Sequence, residues 1–183
     1  MLNSKSLIKI SAGLILVSTI GFSGKAHAQT ATVPFSGSVL NTCIFTTPTT
    51  GVLVKSGTSA AMESSGGLTG FTIGTASTVS VDCNGGGSLT VAVPVVASGV
   101  PAAFAPAVVQ SIVQRGTNTG AADFISSTGG PFAAGAWTKP TTALVLPVGN
   151  SALNVAMVAG TFADGPLPSG SYGYNVTLTV VPN

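Results

Sequence analysis

The side chains that most often carry catalysis are scarce in this sequence. Its 183 residues include one histidine, His27, and four acidic side chains that lie far apart: Glu63, Asp82, Asp123 and Asp164. A nucleophilic serine or cysteine needs a neighbouring base, and glycoside hydrolysis needs two carboxylates that face each other. The sequence therefore predicts no catalytic residue and a protein that is not an enzyme.

Ligands for metals and phosphate are equally scarce. No group of acidic, histidine or cysteine residues has the spacing of a metal site. The glycine pairs lie in predicted turns with no helix after them, unlike the glycines of a phosphate-binding loop. The few basic residues form no patch that would attract nucleic acid. We therefore expect no metal ion, no cofactor and no nucleic acid partner.

The N-terminus has the pattern of an export signal. Lys5 and Lys9 precede an apolar run over residues 10–22, and residues 26–28 read Ala-His-Ala. Small residues in this spacing are typical of a signal-peptidase cleavage site, and the run is shorter than the ~20 residues of a membrane-spanning helix. We expect a signal peptide over residues 1–28 and one exported domain over residues 29–183, with no membrane span after cleavage. An uncleaved N-terminal anchor is the alternative.

Cleavage would change the charge balance and remove the histidine. Residues 29–183 contain three basic and four acidic side chains, so their net charge is −1, whereas the full chain has a net charge of +2. A surface with so few charges repels its neighbours weakly, and a low net charge favours association. This composition is consistent with a secreted protein that assembles.

Two cysteines, Cys43 and Cys83, are the only ones in the chain. An even number of cysteines in an exported protein indicates a disulfide. Their separation excludes a C-x-x-C redox or zinc motif, and no histidine remains to join them. We expect a structural disulfide, with two buried free thiols as the alternative.

The composition and the alternation of apolar residues predict strands rather than helices. Thr, Val, Ala, Ser and Gly are abundant, whereas Glu, Lys, Arg and Gln are few, and the first group favours strands and turns. Residues 56–70 and most of 117–139 read as loops, and residues 84–87 as a turn in which Gly85 supplies the positive φ. Together these features predict an all-β antiparallel sandwich. The candidate strands cover residues 33–45, 51–55, 71–73, 78–83, 88–96, 108–115 (with a short helix as the alternative), 141–147, 153–159 and 172–181.

Both ends of the exported chain resemble a known family. Residues 35–39, FSGSV, lead into Cys43, a second cysteine follows on a later alternating strand, and residues 168–180 read PSGSYGYNVTLTV. This order is similar to that of the major subunits of chaperone-usher pili. The ending also resembles the spore coat protein U-like domain of the archaic branch of that family.

The resemblance implies a fold and a mode of assembly. The fold would be an immunoglobulin-like sandwich that lacks its last strand, so that a hydrophobic groove is exposed. A periplasmic chaperone would fill the groove first, and the N-terminal segment of the next copy would then replace it after delivery to an outer-membrane usher. Transferred to this sequence, the donor side chains would be Ala31, Val33 and Phe35. The groove would be lined by the final strand, through Tyr172, Tyr174, Val176, Leu178 and Val180.

The sequence is therefore compatible with three functions. The first is a structural subunit of a surface pilus, exported through the periplasm to the cell surface and partnered by copies of itself, a chaperone and an usher. Surface adhesion and a role in biofilms follow from that resemblance. The second is a self-complete secreted coat or matrix protein with a complete sandwich. The third is a sugar-binding adhesin that uses the loop over residues 117–139, which contains the only tryptophan, Trp137.

Overall fold

The computed structural model describes residues 30–64, 73–116, 123–127 and 142–183. The chain divides into two compact units, Met1–Ser38 and Val39–Asn183. In the first unit, residues 30–38 form no strand and are exposed. The described part of the second unit contains no α-helix and twelve strands: β1 (Cys43–Phe45), β2 (Val54–Lys55), β3 (Ser59–Glu63), β4 (Ser77–Cys83), β5 (Gly87–Val91), β6 (Val95–Ser98), β7 (Val108–Arg115), β8 (Phe124–Ser126), β9 (Leu144–Leu146), β10 (Gly149–Asp164), β11 (Gly173–Asn175) and β12 (Leu178–Pro182).

The long strand β10 organises the larger sheet. One of its edges pairs first with β4 and then with β3, and its other edge pairs with β7. Strand β1 pairs with β4, β2 with β3, and β8 with β7, which completes seven strands. All of these pairings are antiparallel. The predicted all-β antiparallel class is confirmed.

The second layer consists of a three-stranded sheet, β12-β5-β9, and a two-stranded ribbon, β11-β6. A hydrogen bond of 2.9 Å from the Ala92 main-chain N–H to the Thr177 main-chain oxygen joins the two sections. Pro94 lies at the interruption between β5 and β6, and it has no N–H to donate to a neighbouring strand. The strand predicted over residues 88–96 is therefore divided in two, and the partner strand predicted over residues 172–181 is divided opposite it.

One apolar core joins the two layers. It contains buried side chains from β4, β7, β8 and β10 of the larger sheet and from β5 and β9 of the smaller one, and partly buried side chains from β12 pack against it. Two sheets that share a core in this way form a sandwich-like arrangement. The ten buried residues of this core are Val79, Val81, Cys83, Leu89, Val113, Ile125, Leu144, Leu146, Leu153 and Val155.

The disulfide between Cys43 and Cys83 is present, as predicted from the cysteine count. The two residues are directly opposed in the β1–β4 pair, with 4.1 Å between their Cα atoms. The turn after Cys83 differs in one detail from the prediction. Gly86 has the positive φ, at 76°, and Gly85 does not.

Two further segments differ from the sequence-based prediction. Residues 59–63, predicted as loop, form β3 because they pair with β10 on one side and β2 on the other. The strand predicted over residues 33–45 is present only at Cys43–Phe45. Phe71 and Thr72, most of the loop over residues 117–139, and Trp137 lie outside the described residues.

Candidate strand-binding cleft

Strand β12 has one edge that no strand covers in the described part of the chain. Its inner edge pairs with β5, and the main-chain groups of Thr177, Thr179 and Val181 face that partner. Because alternate residues of a strand direct their N–H and C=O groups to opposite edges, those of Leu178 and Val180 face outward. Pro182 lies at an outward-facing position of the same edge, where a residue without an N–H is tolerated.

Strand β1 supplies a second uncovered edge in the other layer. The Thr46 main-chain N–H donates to the Ser80 main-chain oxygen, and the Thr42 main-chain oxygen accepts from the Asn84 main-chain N–H, so the main-chain groups of Cys43 and Phe45 face away from β4. The chain then continues beside β4 with irregular contacts. The Thr49 main-chain N–H donates to Thr78, and Val52 exchanges two hydrogen bonds with Thr75.

A cleft of about 560 Å³ adjoins these two strands at Phe45 and Leu178, and the rest of its walls lies outside β1 and β12. One wall is formed by Phe45 and the segment that follows it to Leu53, and the other by residues 172–178. Val79, Val155 and Met157 form its floor. None of the described residues that line the cleft is charged, so a neutral, largely apolar segment could enter without leaving a buried unpaired charge. Tyr172 and Leu178 are six residue steps apart, so this wall is about 20 Å long at roughly 3.3 Å per step, the length of an extended segment of seven residues.

The cleft is closed at the disulfide end. There the Asn41 side-chain amide donates a hydrogen bond to the Asn183 main-chain oxygen, which ties the start of β1 to the end of β12. Asn84 holds the same region, because its amide accepts from the Thr42 main-chain N–H at 2.7 Å and donates to the Leu40 main-chain oxygen at 3.0 Å. The open end therefore lies beside Tyr172.

The polar side chains of the cleft differ in how well they are hydrogen-bonded. Ser64 accepts from the Met157 main-chain N–H, Ser77 donates to the Thr49 main-chain oxygen, and Tyr172 donates to the Pro168 main-chain oxygen at 2.6 Å. The Tyr174 hydroxyl is buried and has no hydrogen-bond partner among the described residues. Burial raises the pKa of this hydroxyl, and the neighbouring Tyr172 raises it further.

A second buried polar group lies away from the cleft. Glu63 is opposite Val158 in the β3–β10 pair, and its side chain is 1% exposed. Neither carboxylate oxygen has a hydrogen-bond partner among the described residues. Burial raises the pKa of this carboxyl; the Ser56 hydroxyl lowers it in part but makes no hydrogen bond to either oxygen.

Residues 30–39, here called the arm, have an exposed apolar face. Val33, Phe35 and Val39 are 66%, 94% and 84% exposed, and Ala31 is exposed as well. These residues share the odd positions of the segment, whereas Thr32, Ser36 and Ser38 occupy even positions together with Pro34. In an extended chain the apolar side chains would therefore project from one side.

The sequence-predicted groove residues divide between the cleft and its closed end. Tyr172, Tyr174, Val176 and Leu178 line the cleft, whereas Val180 is not among the lining residues and packs against the core. Gly173 and Asn175, predicted to lie on the opposite face, also contribute to the wall.

The opposite wall was not predicted from the sequence. Residues 46–53 read TTPTTGVL and have no alternation of apolar and polar side chains. Their position depends on hydrogen bonds to β4 that no local pattern indicates. Pro48, within a run of threonines, is the one local signal that the strand ends after Phe45.

Comparisons with protein-family models, with curated proteins and with solved structures return no match for this chain. Within the described residues there is no helix long and apolar enough to cross a membrane. The same residues contain no group of three or more His, Cys, Asp or Glu side chains that could hold a metal ion.

Proposed function

We propose that this chain is a structural subunit of an extracellular pilus-like fibre, and that the arm of one copy fills the cleft of the next. The observation that carries the proposal is the cleft of about 560 Å³ between residues 45–53 and 172–178, whose described lining residues are uncharged and which adjoins two strands, β1 and β12, with an outer edge that no described strand covers. An open edge of this kind accepts an added strand through main-chain hydrogen bonds, and alternate side chains enter pockets. The domain would then be an immunoglobulin-like sandwich completed by its neighbour.

The arm fits this cleft in length and in pattern. Seven residues, 30–36, would span the wall of about 20 Å at roughly 3.3 Å per step. They carry Ala31, Val33 and Phe35 on one side, and the described part of the arm contains no charged side chain. Insertion would remove from water a phenylalanine that is 94% exposed.

The closed end of the cleft favours one direction for the incoming arm. The arm continues through Leu40 into the body of its own copy, so its C-terminal part must leave the cleft at the open end. Its N-terminal part can stop at the end closed by Asn41 and Asn183. The arm would therefore run antiparallel to β11 and β12, with Phe35 near Tyr172.

A contact between an arm and a different surface of the next copy repeats without closing. Head-to-tail contacts of this kind produce filaments. In this proposal residues 1–28 direct export, a periplasmic chaperone occupies the cleft before assembly, an outer-membrane usher exchanges the chaperone for the arm, and the fibre serves adhesion at the cell surface.

The proposal is tested with the full chain exported to an oxidising periplasm without accompanying assembly factors. We expect low yield and concentration-dependent linear oligomers, measured by size-exclusion chromatography and electron microscopy. An excess of a synthetic peptide with the sequence of residues 29–39 should cap the clefts and convert the oligomers to stable monomers.

A chain that is a stable monomer with and without the peptide would contradict the proposal and favour a self-complete coat or matrix protein. Specific binding of that monomer to a glycan array would instead favour the adhesin. A peptide of the same composition in which Ala31, Val33 and Phe35 are placed next to one another, so that neither face is continuously apolar, is the control, and it should not cap the oligomers.

A further inference from the structure

We infer that residues 99–107 form a second contact surface, which packs against Val39 and Leu40 of the copy whose arm fills the adjoining cleft. This inference rests on the proposed function. It extends the interface between consecutive copies beyond the cleft and names both sides of the added contact.

The first argument is the composition of this surface. Residues 99–107, here called the apolar loop, connect β6 to β7 and read GVPAAFAPA, so none of their side chains can form a hydrogen bond. Ala102, Ala103 and Ala105 are exposed. Contiguous exposed apolar residues mark sites of contact with another protein.

The second argument is the position of the apolar loop at the open end of the cleft. The Phe104 ring packs edge-on against Tyr172, with 5.0 Å between the ring centroids, and Tyr172 lines the cleft. Gly170 lies directly against Pro101, since a Cβ atom on Gly170 would be 2.6 Å from the proline ring. A chain that leaves the cleft beside Tyr172 therefore emerges next to the apolar loop.

The apolar loop is held in place by contacts within its own copy. The Phe104 main-chain N–H donates to the Pro101 main-chain oxygen at 2.9 Å, which closes a turn. The Tyr172 hydroxyl donates to the Pro168 main-chain oxygen at 2.6 Å, which fixes the ring that supports Phe104. Pro101 and Pro106 restrict the main chain further, because their rings fix φ. The surface is therefore preformed, and docking on it requires little ordering of the loop.

The third argument is the short link between the arm and the body of its own copy. Residues 30–36 would fill the cleft, with Phe35 near the open end. Val39 is four steps beyond Phe35, which is at most about 13 Å at roughly 3.3 Å per step. Val39 of the incoming copy therefore lies close to the open end of the cleft and to the apolar loop.

Val39 and Leu40 supply the matching apolar side chains. They are 84% and 81% exposed in the free copy. Leu40 is also tied to its own body, because the Asn84 side-chain amide donates to its main-chain oxygen at 3.0 Å. Packing of these two residues on the apolar loop would therefore restrict the rotation of one copy relative to the next.

The experiment measures the binding of two fluorescent peptides to the full exported chain, at high dilution, by anisotropy. One peptide has the sequence of residues 29–40, and the other is the same peptide with Val39→Ser and Leu40→Ser. The first should bind about tenfold more tightly, because it buries two further apolar side chains against the apolar loop.

Substitutions in the chain locate the added contact. Ala103→Asp places a charge on the apolar loop, so it should weaken binding of the first peptide about tenfold and leave that of the second within about twofold. Thr90→Asp, at an exposed position of β5, is the matched control and should preserve the difference between the peptides.

Equal binding of the two peptides to the unchanged chain would show that the inference is wrong while the proposed function stands. A difference that Ala103→Asp leaves intact, or that Thr90→Asp also removes, would overturn the inference in the same way. If neither peptide binds the unchanged chain, the proposed function fails and the inference fails with it.

Discussion

Cys43 and Cys83 are directly opposed across the antiparallel pair β1–β4, and the disulfide between them holds β1 at the closed end of the cleft. Strand β1 has only three residues and pairs on one side only, in the described part of the chain. Its position therefore depends on the disulfide more than that of any interior strand. The bond also closes a sequence separation of 40 residues.

Replacing both cysteines by serine should destabilise the domain and release one wall of the cleft. The chain-entropy model gives a loss of about 4 kcal/mol in unfolding free energy for a loop of this size. Periplasmic yield should fall sharply, and the loss in unfolding free energy can be measured by urea denaturation of the remaining protein. An unchanged yield and unfolding midpoint would mean that β1 is held by its main-chain pairing alone.

Glu63 should make stability depend on pH. Burial raises the pKa of this carboxyl above its ordinary value, so the folded state binds the proton more tightly than the unfolded chain does. The associated stability is present below the unfolded pKa and is lost as the pH rises through the folded pKa. Stability should therefore decline as the pH rises from about 4.5 toward neutrality.

Glu63→Gln should remove this decline and raise the unfolding free energy at pH 7, because the buried negative charge is no longer formed. The measurement is urea denaturation at a series of pH values. Asp82→Asn is the matched control, because the Asp82 side chain is exposed on neighbouring β4, and it should keep the decline. A Glu63→Gln curve parallel to that of the unchanged chain would show that another group titrates in this range.

Substitution of the odd-numbered apolar residues of the arm should weaken its binding to the cleft, whereas substitution of the even-numbered residues should not. In the peptide of residues 29–39, Phe35→Ser removes about 2–3 kcal/mol of apolar burial from a filled cleft, which corresponds to roughly 30- to 150-fold weaker binding. Ser36→Ala, on the other side of the same segment, should change the affinity by less than threefold. Introduced into the full chain, neither substitution should change the unfolding midpoint of the domain without peptide, because both side chains are exposed. Equal effects of the two substitutions on binding would rule out strand-like insertion.

Sequence patterns predicted the parts of the fold in which burial alternates along the chain. The strand predicted over residues 78–83 corresponds to β4, whose side chains alternate between the core and solvent. The strand predicted over residues 108–115 has the bounds of β7, although both faces of its middle are buried and a helix could not be ruled out from the pattern. Strand β3, SAAME, has a weak pattern and exists because β10 and β2 pair with it.

One wall of the cleft could be predicted from the sequence because its side chains alternate, whereas the other wall could not. The wall formed by Tyr172, Tyr174, Val176 and Leu178 follows from period-two alternation. The other wall follows from hydrogen bonds between Thr49, Val52 and the edge of β4, which are tertiary contacts. Val180 packs against the core outside the cleft, and the hydrogen bond that ties the start of β1 to the end of β12 joins Asn41 and Asn183, residues that are 142 positions apart in sequence.

Pro182 limits main-chain hydrogen bonding at the outer edge of β12. A bare strand edge is a template on which further chains can pair without limit, as in amyloid. At the outward-facing position of Pro182 there is no N–H, so an added strand finds hydrogen-bond donors along the wall but none at its end. In the proposed assembly, main-chain pairing on this edge would therefore end at Pro182, which makes the edge a poorer template for further chains.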